Sequence, residues 1–90
     1  MRDISDERLE KYLEITKKAL DMAKPAHESW KAKEVWDMAS RYYQDALHFR
    51  KKGNVVNAFA CVNYAHGWLD AGARLGLFKV KDSSLFTVDD

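Results

Sequence analysis

The stretch Val55–Phe78, VVNAFACVNYAHGWLDAGARLGLF, carries only two formal charges, Asp70 and Arg74, although its flanks are dense with Lys, Arg, Asp and Glu. Read as one helix, it is apolar or small almost all the way round. A helix of that kind is wrapped by neighbours rather than laid on a surface. The rest of the chain is therefore expected to fold around it, as the central helix of a small bundle.

One face of this helix is Ala58, Val62, Ala65, Leu69, Gly72 and Gly76, with Asn54 placed to cap its start and Gly76 to cap its end. Small residues there let a neighbouring helix approach closely. Gly67 and Gly72 lie within the helix, where each costs about 1 kcal/mol relative to alanine. Gly72 faces the bundle and has a packing reason. Gly67 lies almost opposite, in a strip with Ala60 and Ala71 beside Tyr64. A helix covered on one side only should be polar there, so the strip is expected to be covered by the C-terminal tail or a second copy of the chain.

Two amphipathic segments precede it. From about Asp6 to Lys24, Leu9, Leu13, Thr16, Leu20 and Ala23 form a stripe flanked by Tyr12, Ile15, Ala19 and Met22. Ser5 or Asp6 can cap its start, and Glu7–Lys11 and Glu14–Lys18 are favourably ordered i,i+4 pairs. Pro25 ends this helix or opens the next. The second helix starts between Ala26 and Trp30 and runs to about Lys52, with Val35, Ala39, Tyr42, Ala46 and Phe49 as its inward seam. Arg50, Lys51 and Lys52 suit the negative end of the helix dipole, and Gly53 suits a left-handed C-terminal cap. The pattern predicts an all-α fold: an up-and-down three-helix bundle over residues 1–78, with residues 79–90 as an irregular tail or short hairpin.

Composition narrows the function classes. Ninety residues, 47% of them hydrophobic, make one domain with a real core. Fifteen basic and 14 acidic side chains leave a net charge of +1, unlike a dedicated nucleic-acid binder. No apolar run approaches the length of about 20 residues that spans a bilayer. The charged start, MRDISDERLEKY, is unlike a signal peptide, so a cytoplasmic protein is expected. The single cysteine, Cys61, excludes an internal disulfide and a cysteine-based zinc cage, and reads as a small buried side chain.

Tyr42, Ala46, Phe49, Gly53, Ala58, Val62 and Ala65 resemble the packing positions of one tetratricopeptide-type helical hairpin, without a second repeat. A closer likeness lies in the run from Tyr42 to Phe78, above all Tyr64-Ala65-His66-Gly67-Trp68-Leu69-Asp70-Ala71-Gly72 followed by Arg74-Leu75-Gly76. It resembles the uncharacterised archaeal family catalogued as domain of unknown function 357, over about Leu9 to Phe78. The resemblance implies a compact three-helix bundle. It implies no established activity. Joining of some relatives to nucleotidyltransferase-like domains implies an accessory or regulatory role.

Two polar constellations compete with plain packing. His66, Asp70 and Arg74 follow one another at offsets of four, so Arg74 can hold a phosphate or carboxylate while Asp70 orients His66 as an acid–base group. The plainer reading is a surface pair beside a histidine hydrogen-bonded at a helix boundary. Arg41 and His48 share a flank of the second helix, with Asp45 between them. Their spacing resembles the Arg–x–His motif of HEPN-type ribonucleases, which implies a histidine and arginine acting at a ribose hydroxyl and scissile phosphate. His27, His48 and His66 fall in separate segments, so no metal site is expected, and no cofactor either. Trp30, Trp36 and Trp68 exceed what such a core holds, so some should lie at edges or an interface.

The function expected from these residues is a small non-enzymatic interaction or accessory module. It would form a homodimer or dock a larger protein through Ala60, Tyr64, Gly67, Trp68 and Ala71. The alternative is an RNA- or nucleotide-directed site at Arg41/His48 or His66/Asp70/Arg74.

Overall fold

The computed structural model describes residues 5–23, 29–78 and 80. Three helices follow in order: α1 (Asp6–Ala23), α2 (Trp30–Lys51) and α3 (Val55–Arg74), and the described residues contain no strand. The all-α three-helix bundle expected from periodicity is what forms. Helix α3 packs on both α1 and α2, while α1 and α2 touch each other less. The least charged segment is thus the one shared by the other two. Pro25, His27, Lys79 and residues 81–90 of the expected tail lie outside the described residues.

The ends of the helices follow from local chemistry. The Ser5 hydroxyl accepts from the Arg8 amide at 3.1 Å, satisfying one of the orphan donors at the start of α1. The Ser29 hydroxyl does the same for Ala32 in α2, and the Asn54 side chain for Asn57 in α3. At the end of α2, Gly53 adopts φ +77°. There its amide donates to the Arg50 carbonyl and that of Asn54 to Phe49. At the end of α3, Gly76 adopts φ +76°, and the Gly76 and Leu77 amides donate to the Ala73 and Gly72 carbonyls. Both are Schellman closures, which need a residue free to take the left-handed conformation.

The second closure puts Gly76 where its chemistry suggested, as the cap of the central helix. Helix α3 therefore stops at Arg74, and Leu77 and Phe78 of the apolar stretch lie beyond it, where Gly76 reverses the chain. Phe78, 3% exposed, then folds back against α3. A Cβ placed on Gly72 would collide with Cε2, Cδ2 and Cζ of the Phe78 ring. Gly72 therefore makes room for an aromatic from its own chain, as well as lying on the buried face.

The core is built from the expected stripes. Leu9, Leu13, Thr16, Ala19, Leu20 and Ala23 of α1 are buried, as are Ala58, Val62, Ala65, Leu69, Gly72 and Ala73 of α3. In α2 the buried set is Ala32, Ala39, Tyr43 and Ala46, with Val35, Tyr42 and Phe49 only partly covered. The inward direction of α2 is thus rotated toward Tyr43, because this helix must meet α1 as well as α3. Its link to α1 is the Trp36 indole, whose Nε1–H donates to the Leu20 carbonyl at 2.9 Å. That carbonyl lies in the last turn of α1, where no intrahelical donor remains. At the opposite end Arg50 Nε meets Glu10 Oε2 at 2.6 Å. The two links run from the end of α1 to the start of α2 and the reverse, as antiparallel neighbours require.

Burial pushes the Tyr43 phenol above its ordinary range, while the positive charges of Lys17 and Arg50 pull the other way. A group whose pKa is raised by folding stabilises the fold fully below its unfolded value, and that contribution is lost as pH climbs through the folded value. Stability measured by urea unfolding is therefore expected to fall above about pH 10. Tyr43→Phe should shallow that alkaline decline; an unchanged decline would contradict it.

Candidate functional site

Helix α3 meets α1 on one flank and α2 on the other, and each flank is marked by aromatic contacts. Toward α1, Tyr12 packs edge-on against Phe59 with ring centroids 5.2 Å apart, and the Arg8 guanidinium lies over both rings. Toward α2, Tyr42 and Tyr64 stack nearly parallel, 4.6 Å apart with an interplanar angle of 8°. Between these flanks, away from the core, lies the strip singled out in the sequence.

Ala60, Gly67 and Ala71 are exposed, and Tyr64 is 60% exposed despite its stack. A Cβ on Gly67 would meet nothing within 4 Å among the described residues. No described segment covers the strip. The expected alternative of a covering tail gains nothing from Leu77, Phe78 and Val80, which pack with the core cluster instead. Trp68 sits on the shoulder between strip and core. Its Nε1 is buried and has no hydrogen-bond partner among the described residues. What this ring offers to the outside is therefore its carbon edge, not its donor. Two further residues of the same face were not singled out in the sequence: Val56 and Leu75, 65% and 74% exposed. Their signal was the i+4 spacing of Val56, Ala60 and Tyr64, and again of Gly67, Ala71 and Leu75.

Cys61 lies half-buried on the α2 side of this face. Burial raises its thiol pKa, and the Asp45 carboxylate adds to the rise. Both effects favour the protonated thiol, the less nucleophilic form.

The His66 cluster is a boundary structure. Its Nδ1 lies 3.0 Å from the Thr16 hydroxyl of α1, and its Nε2 lies 3.7 Å from Asp70 Oδ1. Thr16 is fully buried, so its hydroxyl cannot be offered to a substrate. The arrangement instead satisfies a polar group inside the α1–α3 contact. Arg74 is exposed in the last turn of α3. His66→Ala would leave the Thr16 hydroxyl without this partner and is expected to destabilise by about 1–3 kcal/mol. Adding Thr16→Val should recover part of that loss in chemical denaturation, because no orphaned hydroxyl would remain. Purely additive losses would contradict the pairing.

Arg41 and His48 are both exposed, two turns apart on the solvent side of α2. The His48 ring rests edge-on against Phe49, with centroids 5.6 Å apart. His48 and His66 are not brought into one cleft: the first faces solvent from α2, the second lies between α1 and α3. Among the described residues, no three His, Cys, Asp or Glu side chains are grouped to hold a metal ion. No described helix is long and apolar enough to cross a membrane. An open depression of about 360 Å³ beside Ser5, Glu7, Arg8, Lys11 and Tyr12 contains none of the candidate interface, His66-cluster or Arg41/His48 residues.

No protein of curated function matches the chain. A family model described as "Protein of unknown function (DUF357)" matches residues 11–78, spanning all of α2 and α3 and most of α1. The three-helix core and the outward face of α3 both fall inside that span, and the chain belongs to this family of proteins of unknown function.

Proposed function

We propose that the chain is a non-enzymatic interaction module, cytoplasmic and archaeal in setting, that docks a protein partner through the outward face of α3. The observation behind this is the exposure of Val56, Tyr64 and Leu75 together on the face that also carries Ala60, Gly67 and Ala71. Single exposed apolar side chains are ordinary; several sharing one helix face are what support an interaction site here. Tyr64 adds a rigid ring, held by its stack on Tyr42, of the kind that dominates binding energy at interfaces. Small residues around it let a partner's backbone come close.

The test is affinity purification from native cells with the intact chain, Gly67→Leu and Arg41→Ala/His48→Ala. Proteins retained by the intact chain should be lost with Gly67→Leu and kept with the double variant. The reverse pattern would move the working surface to α2. Labelled RNA incubated with the intact chain should be cleaved no faster than with His48→Ala; faster cleavage would sink the non-enzymatic reading.

A further inference from the structure

Apart from Asn57, Asn63 and Arg74, the exposed residues of α3 and its C-cap Leu75 have an order that reads the same in both directions. Val56, Ala60, Tyr64, Gly67, Ala71 and Leu75 are separated by four, four, three, four and four residues. Spacings of three and four hold a row of side chains on one slowly drifting edge of a helix, as in a coiled-coil seam. Three of the five large hydrophobic side chains that are exposed among the described residues belong to this one row. Reversing the row sets large against small at its centre. Tyr64 meets Gly67, Ala60 meets Ala71, and Val56 meets Leu75.

From this we infer that the occupant of the face is a second copy of the same chain, with the two α3 helices packed antiparallel about a two-fold axis. The inference rests on the docking function proposed above and names its partner. Each Tyr64 ring lies over the Gly67 of the other copy, where the chain leaves space that no described atom fills. The stack on Tyr42 fixes the ring before the copies meet, so little rotamer freedom is lost on pairing.

Charge selects the direction. The only formal charges on α3 are Asp70 and Arg74, both near its C-terminal end, and the exposed Arg74 borders the row, seven residues beyond Gly67. A parallel pair would set Asp70 level with Asp70, Arg74 with Arg74 and Tyr64 with Tyr64. The antiparallel pair sets Asp70 level with Cys61, and Arg74 level with Asn57. Like charges are then separated along the axis and shape is complementary, which is the self-complementarity an isologous contact requires.

Size sets the strength. One helix pair buries on the order of half the ~800 Å² per partner of a standard interface. Dissociation is therefore expected in the micromolar range, where sedimentation equilibrium reads it directly. The intact chain should pass from monomer to dimer between about 1 and about 200 µM. Gly67→Leu places a side chain where the other copy's ring would sit. It should weaken pairing at least about tenfold while leaving the fold intact, since no described residue meets a Cβ at that position and leucine favours a helix.

Direction is read by disulfide trapping in chains carrying Cys61→Ser. A mixture of Ala60→Cys and Ala71→Cys should cross-link between copies, while Ala60→Cys alone should not. In the antiparallel pair the two Ala60 positions are about 16 Å apart along the axis. A monomer throughout the concentration range, or cross-linking by Ala60→Cys alone, overturns the inference. A monomer whose native-cell partners are still lost with Gly67→Leu would overturn only the choice of a second copy. A monomer that keeps those partners in the variant would remove the docking function as well.

Discussion

Leu69→Ala is expected to lower unfolding stability by about 2–5 kcal/mol, a large share of what a domain of this size possesses. Leu69 is fully buried and among the largest side chains with no exposure, on the helix that α1 and α2 both cover. Removing it opens a cavity that neither neighbour can close alone, because each is anchored to the other: Trp36 to the Leu20 carbonyl, Arg50 to Glu10. Urea unfolding followed by far-ultraviolet circular dichroism measures the change. A loss below about 1 kcal/mol would mean that α3 is not the shared core element.

Gly72→Ala should also destabilise, although the same change in an open helix position stabilises by about 1 kcal/mol. The added methyl falls on the Phe78 ring, so the ring must leave its buried site or the helix must shift. Overpacking of this kind costs about 1–3 kcal/mol, more than the propensity gain returns. Gly67→Ala, with open space at its Cβ, supplies the contrast and should raise monomer stability. Opposite signs for one substitution at two sites five residues apart would map the inner and outer sides of α3. A stabilising Gly72→Ala would show that Phe78 is free to move aside, and that its packing on the helix contributes little.

Most of the fold was legible because burial and periodicity coincide. The α1 stripe from Leu9 to Ala23 and the α3 face from Ala58 to Gly72 are buried as spaced. Asn54 and Gly53 act as the caps their chemistry suggests. The end of α3 was less legible. Leu75, Leu77 and Phe78 continue the apolar character of the helix, so hydropathy alone extends it past the turn that Gly76 makes. The inward direction of α2 was displaced for a related reason: Tyr42 and Tyr43 are adjacent and chemically alike, and only the position of α1 chooses between them.

The site was legible in part. The oddness of Gly67 and its neighbours pointed to the outward face, and the described residues leave that face open. Val56 and Leu75 escaped notice because an exposed aliphatic residue is commonplace until its neighbours in space are known. His66 could not be assigned from its own helix. Its partner Thr16 lies 50 positions away, and nothing in the spacing of His66, Asp70 and Arg74 reveals it.

The docking face is tested most directly by ¹H–¹⁵N correlation spectra recorded on dilution of the intact chain from about 500 µM to about 5 µM. Concentration-dependent shifts should gather on the amides of Val56, Ala60, Tyr64, Gly67, Ala71 and Leu75 and vanish in Gly67→Leu. Spectra unchanged by dilution, or shifts centred on Arg41 and His48 instead, would contradict a docking face on the third helix that accepts a second copy.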